Sequence, residues 1–199
     1  MAMDVMGQQG EVALLPPESH AGSALDSEQI EQAAKQLGRS QSPMIVVGSG
    51  AQDASKEVLR LAEILQAPVT FFRSGKGVID DRHYLSQSFP AGHRLWADAD
   101  VVLAIGTRLK YQQMYWGLDQ NLKIVRIDID PTEINRISTP EIGIVADARI
   151  ALQALLSALD RHNSPRTSRK QELTNLKTEF QATFEEKIAP QMGYLRVIR

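Results

Sequence analysis

The chain of 199 residues carries a formal net charge of −2 and contains no cysteine. That near-neutral balance removes any general attraction to nucleic acid or to an anionic membrane, and the missing thiols exclude disulfides, thiolate metal centres and cysteine nucleophiles. The 43% hydrophobic and 23% charged residues suit one globular core with some additional chain. No apolar run reaches the roughly 18 residues of a bilayer span, and MAMDVMGQQGEV lacks the basic-then-apolar order of a signal peptide, so the expected location is the cytoplasm.

Residues 1–24 show little periodicity and contain Gly7, Gly10, Pro16, Pro17 and Gly22, which reads as an extended lead-in with the role of a linker. A helix is predicted from Asp26, where Gln29 three residues on resembles a capping box and Ile30, Ala33, Ala34 and Leu37 share one face; it stops near Gly38. Met44–Val47 is a short apolar run between Pro43 and Gly48, the pattern of a strand buried on both faces. Gly48, Ser49 and Gly50 then allow a tight turn, after which a helix can begin with free N–H groups facing a ligand. Val58, Leu61, Ala62 and Leu65 repeat the helical spacing, and Val69–Phe72 forms the next strand, parallel to the first. From Arg73 to Trp96 the chain reads as loop. Strands are predicted at Val101–Ile105, Ile124–Ile129 and Ile142–Val145, followed by a helix from Asp147 with Ile150, Ala151, Leu155 and Leu159 on its apolar side. This alternation implies an open parallel sheet covered on both faces. The polar, basic stretch Arg161–Arg169 marks the end of the domain. Leu173, Leu176, Phe180 and Phe184 then suggest an amphipathic helix without an obvious partner in the chain. The final MGYLRVIR begins an apolar pattern and stops, as expected of a piece of a longer protein.

In open parallel sheets ligands bind beyond the carboxyl ends of the strands. Those ends carry Gly48–Gly50, Gly106–Arg108, Asp128–Asp130 and Ala146–Asp147. Together they suit a dinucleotide: glycines for close approach of a pyrophosphate, Arg108 for its charge, and carboxylates for ribose or adenine hydrogen bonds. Singly, Asp130 and Asp147 read as helix caps. The nicotinamide fingerprint fails, since Asp53 takes the third glycine position and Arg73 stands where an acidic ribose partner belongs. SGKGV at 74–78 is no P-loop, for Gly77 replaces the magnesium-binding hydroxyl. His20, His83, His93 and His162 lack H-x-x-x-H spacing, and no Ser sits in G-x-S-x-G. Trp96, Tyr111, Tyr115 and Trp116 either shelter a planar ring or fill core, packing being the favoured reading.

In order along the chain, PMIVVGSGA, APVTFFRSGKGVI, ADVVLAIGTRL, IVRIDIDPTEI and IVADA make the stretch from about Leu25 to Leu159 resemble the middle domain of thiamine-diphosphate-dependent enzymes of the acetolactate synthase, pyruvate oxidase and benzoylformate decarboxylase superfamily. The resemblance implies an α/β fold: a Rossmann-like open parallel sheet of about six strands with helices on both faces, of the sirtuin-like nucleotide-binding type. Some members hold FAD in this domain, others ADP, and in many it is a scaffold alone. The matching FAD or ADP positions are Gly48, Ser49, Gly50, Gly106, Thr107, Arg108, Asp128, Ile129, Ala146 and Asp147. The first cluster is Gly-Ser-Gly, and LKYQQMYWG follows Arg108 where flavin-binding synthases usually show acidic residues. FAD, ADP and an empty scaffold therefore stay open.

DVMGQQGEV is similar to the linker leaving the family's N-terminal domain, and Arg169–Arg199 to the connection into its C-terminal domain. The implied division is 1–24 linker, 25–160 central domain, and 161–199 linker and helix. In such parents a glutamate of the first domain activates thiamine, and a GDG…N motif of the third holds its diphosphate through Mg2+. Neither region is here, so no catalytic or metal-binding residue is assigned and the chain alone is expected to be inactive. Its implied partners are the other domains of the parent, a homo-oligomer acting as lyase or transferase on 2-oxo acids. The alternative is a free-standing nucleotide-binding regulatory module; a nicotinamide oxidoreductase is a remote third.

Overall fold

The computed structural model describes residues 25–118 and 121–187, together with Gly7. The rest of the lead-in and the closing MGYLRVIR lie outside the described residues. Six strands form one parallel sheet in the order β3-β2-β1-β4-β5-β6: β1 (Pro43–Val47), β2 (Val69–Phe71), β3 (Ser86–Gln87), β4 (Val101–Ile105), β5 (Lys123–Asp128) and β6 (Ile142–Val145). Every residue of β1 and β4 is buried, which is why both read as unbroken apolar runs. The chain runs outward from β1 to β3, then crosses back to β4 and outward again. Its reversal therefore falls between β1 and β4, where Val47 pairs with Ile105, the last residues of their strands.

The helices are α1 (Ser27–Arg39), α2 (Ser55–Leu65), α3 (Phe89–Trp96), α4 (Pro131–Ile134), α5 (Ala148–Leu159) and α6 (Lys170–Lys187). Helices α1 and α2 both pack on α5, and α3 packs on β2 and α6. Asp26 caps α1, accepting from the N–H groups of Glu28 and Gln29 at 2.9 and 3.2 Å, and Ile30, Ala33, Ala34 and Leu37 form its buried face as read. The helix ends at Arg39, near Gly38 as read. That glycine also allows a close crossing: a Cβ there would stand 2.6 Å from the carbonyl oxygen of His162.

The stretch 73–96 is more ordered than its glycines and prolines suggest. It contains a short 3-10 turn (Arg73–Gly75), the edge strand β3 and the helix α3. Ser88 caps α3, Pro90 sits in its first turn where no N–H is needed, and Gly92 lets the helix approach the sheet, since a Cβ would meet Thr70 Oγ1 at 2.4 Å. In α5 the expected apolar side is corrected at Ile150, which is 58% exposed. It lies about 140° around the helix from Leu155, and the buried face is Ala148, Ala151, Leu152, Leu155, Ala158 and Leu159.

The C-terminal helix does have a partner in this chain. Leu173 is fully buried, and its carbonyl accepts from Gln87 Nε2 at 3.2 Å. Lys177 donates to the carbonyls of Asp81, His83 and Ser86, and burial lowers its pKa. Arg94 pairs bidentately with Glu179 at 2.8 and 3.0 Å. Helix α6 thus covers the edge strand β3, which would otherwise present unpaired backbone. The basic stretch before it is also docked: Arg166 donates to the carbonyls of Leu37, Gly38 and Ser40 at 2.9, 3.1 and 2.8 Å, closing the C-terminus of α1.

Candidate functional site

The loops leaving β1, β4, β5 and β6 converge on one cavity of about 930 Å3, a volume suited to a cofactor-sized ligand. All ten sequence-identified positions line it: Gly48, Ser49, Gly50, Gly106, Thr107, Arg108, Asp128, Ile129, Ala146 and Asp147.

The glycines also let the loops after β1 and β4 pack against each other. A Cβ on Gly48 would stand 2.2 Å from Gly106 O, and one on Gly50 would stand 2.8 Å from Gly106 Cα. Gly106 itself has φ +54°, a left-handed conformation that favours glycine. The N–H groups of Gly48, Gly50 and Ala51 donate to Ile105 O, Gly106 O and Gly48 O at 3.0, 3.1 and 3.2 Å. A 3-10 turn, Ser49–Ala54, separates β1 from α2. The expectation of free amides here is therefore corrected for those three groups: Gly48 and Gly50 donate across to the end of β4, and Ala51 donates within the turn.

Beyond that seam the cavity is lined by charged groups of both signs. Asp128, Asp130, Glu133 and Asp147 line its β5–β6 end, while Arg108, Lys110, Phe72, Tyr111 and Tyr115 line the β2–β4 side. Asp130 and Asp147 are caps, accepting from Thr132 N at 2.8 Å and Ile150 N at 3.1 Å, yet both still face the cavity. Burial raises the pKa of Asp128, whose Oδ1 accepts from Asp130 N at 3.1 Å. Beside it in β5 is Arg126, a fully buried side chain that donates to Ile134 O and Thr107 O, both at 3.0 Å. It ties the β4 loop to α4, and burial lowers its pKa. Sequence reasoning missed it because it interrupts an apolar strand; a lone arginine in such a run was the available signal. Arg108 is 72% exposed, with Nε 3.5 Å from Glu133 Oε1, an oxygen that also pairs with Arg136. Glu133 Oε2 and Gln112 Nε2 are buried without a hydrogen-bond partner.

The aromatic residues divide. Trp96 is buried and donates to Gly117 O at 2.9 Å, and Trp116 packs against Phe89 and Trp96. Tyr111 and Tyr115 line the cavity, 38% and 66% exposed, with Tyr111 stacked on Phe72 at 5.2 Å. Gln112–Trp116 forms a π-helical turn, a feature that recurs at binding sites, and Leu109 just before it adopts φ +52°. Arg73, at φ +48°, carries its guanidinium 5.1 Å from the Phe72 ring centre at the end of β2. Among the described residues no three His, Asp or Glu side chains cluster as metal ligands, and no helix is long and apolar enough to cross a membrane.

A six-stranded parallel sheet with helices on both faces and a cavity at its carboxyl edge, beside the strand-order reversal, has the doubly wound α/β architecture. Residues 30–155 match the family model described as thiamine pyrophosphate enzyme, central domain, and the chain belongs to that family. It is 37% identical over 143 residues to a probable acetolactate synthase large subunit of Methanocaldococcus jannaschii, a match covering 66% of this chain and 24% of that protein. It is 31% identical over 180 residues to acetolactate synthase 1, chloroplastic, of Zea mays, covering 83% of this chain and 28% of that one. A probable 2-ketoarginine decarboxylase of Pseudomonas aeruginosa is 32% identical over 165 residues, with 78% and 29% covered. The chain thus spans between about a quarter and three-tenths of the length of these relatives.

Proposed function

We propose that this chain is the central domain of a thiamine-diphosphate-dependent decarboxylase or carboligase acting on 2-oxo acids, and that its carboxyl-edge cavity is a site for FAD or ADP. The observation that carries the ligand reading is that all ten positions named from the sequence line one cavity of about 930 Å3. The acidic end suits ribose hydroxyls, with Asp128 as acceptor. Arg108 and Lys110 suit a diphosphate, and Tyr111 and Tyr115 offer exposed aromatic faces to a planar ring. The amides of Gly48, Gly50 and Ala51 are already bonded and do not serve as donors to the ligand. Buried polar atoms left unpaired at Gln112 and Glu133 fit a site completed by a ligand.

Thiamine diphosphate, when bound in the parent, supplies the chemistry of decarboxylation. We assign the holding of thiamine diphosphate and Mg2+ to other domains of a cytoplasmic homo-oligomer. The chain alone is inactive on this reading. The docking of α6 on β3 and α3 favours a second reading, a self-contained nucleotide-binding regulatory module, because the helix has found a partner within the chain. Capture of separately expressed N- and C-terminal domains by this chain would favour the first reading.

The direct test is titration with FAD, ADP and NAD followed by tryptophan fluorescence, with thiamine diphosphate as control. Saturable quenching by FAD or ADP, none by thiamine diphosphate, is expected. A flat response to both nucleotides from folded protein would refute the site.

A further inference from the structure

Two polar side chains lining the cavity are buried but unpaired: Gln112, 1% exposed, at its Nε2, and Glu133, 8% exposed, at its Oε2. The other oxygen of Glu133 is engaged by Arg108 and Arg136. The neighbouring Gln113 donates to Ser138 Oγ at 2.8 Å, tying the π-helical turn to the loop after α4, the helix that carries Glu133. Gln112 thus lies beside that tie, with Tyr111, Met114 and Tyr115 of the same turn also lining the cavity. Folding alone gives no reason for an amide there, since an apolar side chain of equal size would avoid stranding a donor away from water. Positions that break this rule are characteristically functional.

We propose that Gln112 selects the ring of the bound ligand: its Nε2 donates to an acceptor on the edge of a planar heterocycle lying against Tyr111 and Tyr115, and Glu133 Oε2 accepts from the adjoining N–H. This rests on the nucleotide reading of the cavity. The chemistry required is an acceptor next to an N–H donor. Adenine offers it as a ring nitrogen beside an exocyclic amine, and an isoalloxazine offers it as a carbonyl beside a ring N–H. Both protein atoms are shielded from water, so the pairing forms as the turn settles on the ring. A π-helical turn, with its surplus residue, can make that adjustment locally.

The test uses the 199-residue chain, Gln112→Leu, and Gln112→Met as a second apolar variant of similar length. Each is titrated with ADP, which carries adenine alone, with FMN, which carries isoalloxazine alone, and with FAD, which carries both, and each is melted without ligand. Wild type is expected to bind ADP or FMN, which identifies the ring. The variants should bind that ligand about tenfold more weakly and melt at the same temperature or higher. Unchanged affinity would overturn the assignment and leave the nucleotide reading standing, as would a lower melting temperature in both variants, which would show that the amide serves the fold. No binding of ADP, FMN or FAD by wild type would overturn the nucleotide reading, and this selection with it.

Discussion

The two ends of the sheet are built on opposite terms. At the amino end, Asp100 receives Ser40 Oγ, Gln41 N at 2.7 Å and Ser42 N at 3.0 Å, and Arg166 closes α1 over the same corner. Its polar groups answer one another. At the carboxyl end, Gln112 and Glu133, which line the cavity, each leave a buried polar atom unpaired, as Gln113, Thr70 and Gln87 do away from it, and Leu109 holds a left-handed backbone. One end is arranged for stability, whereas the other keeps unused hydrogen-bonding capacity around a cavity, the usual mark of a binding site.

The Gly48–Gly106 seam is the exception that sharpens this contrast, being a stability element within the carboxyl end. Gly48→Ala should therefore have the largest effect, about 3 kcal/mol or more of lost stability in denaturant melts, because the new methyl meets fixed backbone 2.2 Å away. Asp100→Ala should cost about 2 kcal/mol by stranding its donors, without altering nucleotide affinity. Burial raises the Asp100 carboxyl, but the hydrogen bonds from Ser40, Gln41 and Ser42 together outweigh that and hold it below its ordinary value. Its contribution is then complete above the unfolded value of about 3.9 and is lost as pH falls from there through the folded value. Asp100→Ala should accordingly flatten the acid limb of stability against pH. Arg108→Ala should do the reverse of Asp100→Ala: about tenfold weaker binding of FAD or ADP, measured by calorimetry, with an unchanged melting temperature because the side chain is exposed. Smallest of all, Ile150→Ser should shift stability by less than about 0.5 kcal/mol, although the same change at a buried α5 leucine would be severe.

These differences also explain what the sequence made legible. Strands β1, β4, β5 and β6 and helices α1, α2 and α5 declare themselves because burial demands runs or stripes of apolar residues. The edge strand β3 is two polar residues long and carries no such periodicity. In α3, Pro90 and Gly92 read as turn residues until the sheet contact at Thr70 is known. The partner of α6 was hidden for a related reason: Leu173 is its one fully buried residue, and the remaining anchors are polar, Lys177 onto carbonyls and Glu179 onto Arg94. For the site, the rule of carboxyl ends was enough to name residues at the strand termini. Gln112 and Glu133 escaped it because they sit several residues beyond β4 and β5 and reach the cavity through the π-helical turn and the short α4. Their chemistry is visible in being buried without partners, which depends on tertiary structure.

The most direct measurement is a backbone amide chemical-shift map of the chain during titration with ADP and with FAD. Saturable shifts confined to 48–50, 106–116, 128–133 and 146–147, with 40–42 and Asp100 unmoved, are expected. No saturable change with either ligand, or changes centred on the Asp100 corner, would contradict a nucleotide site at the carboxyl edge.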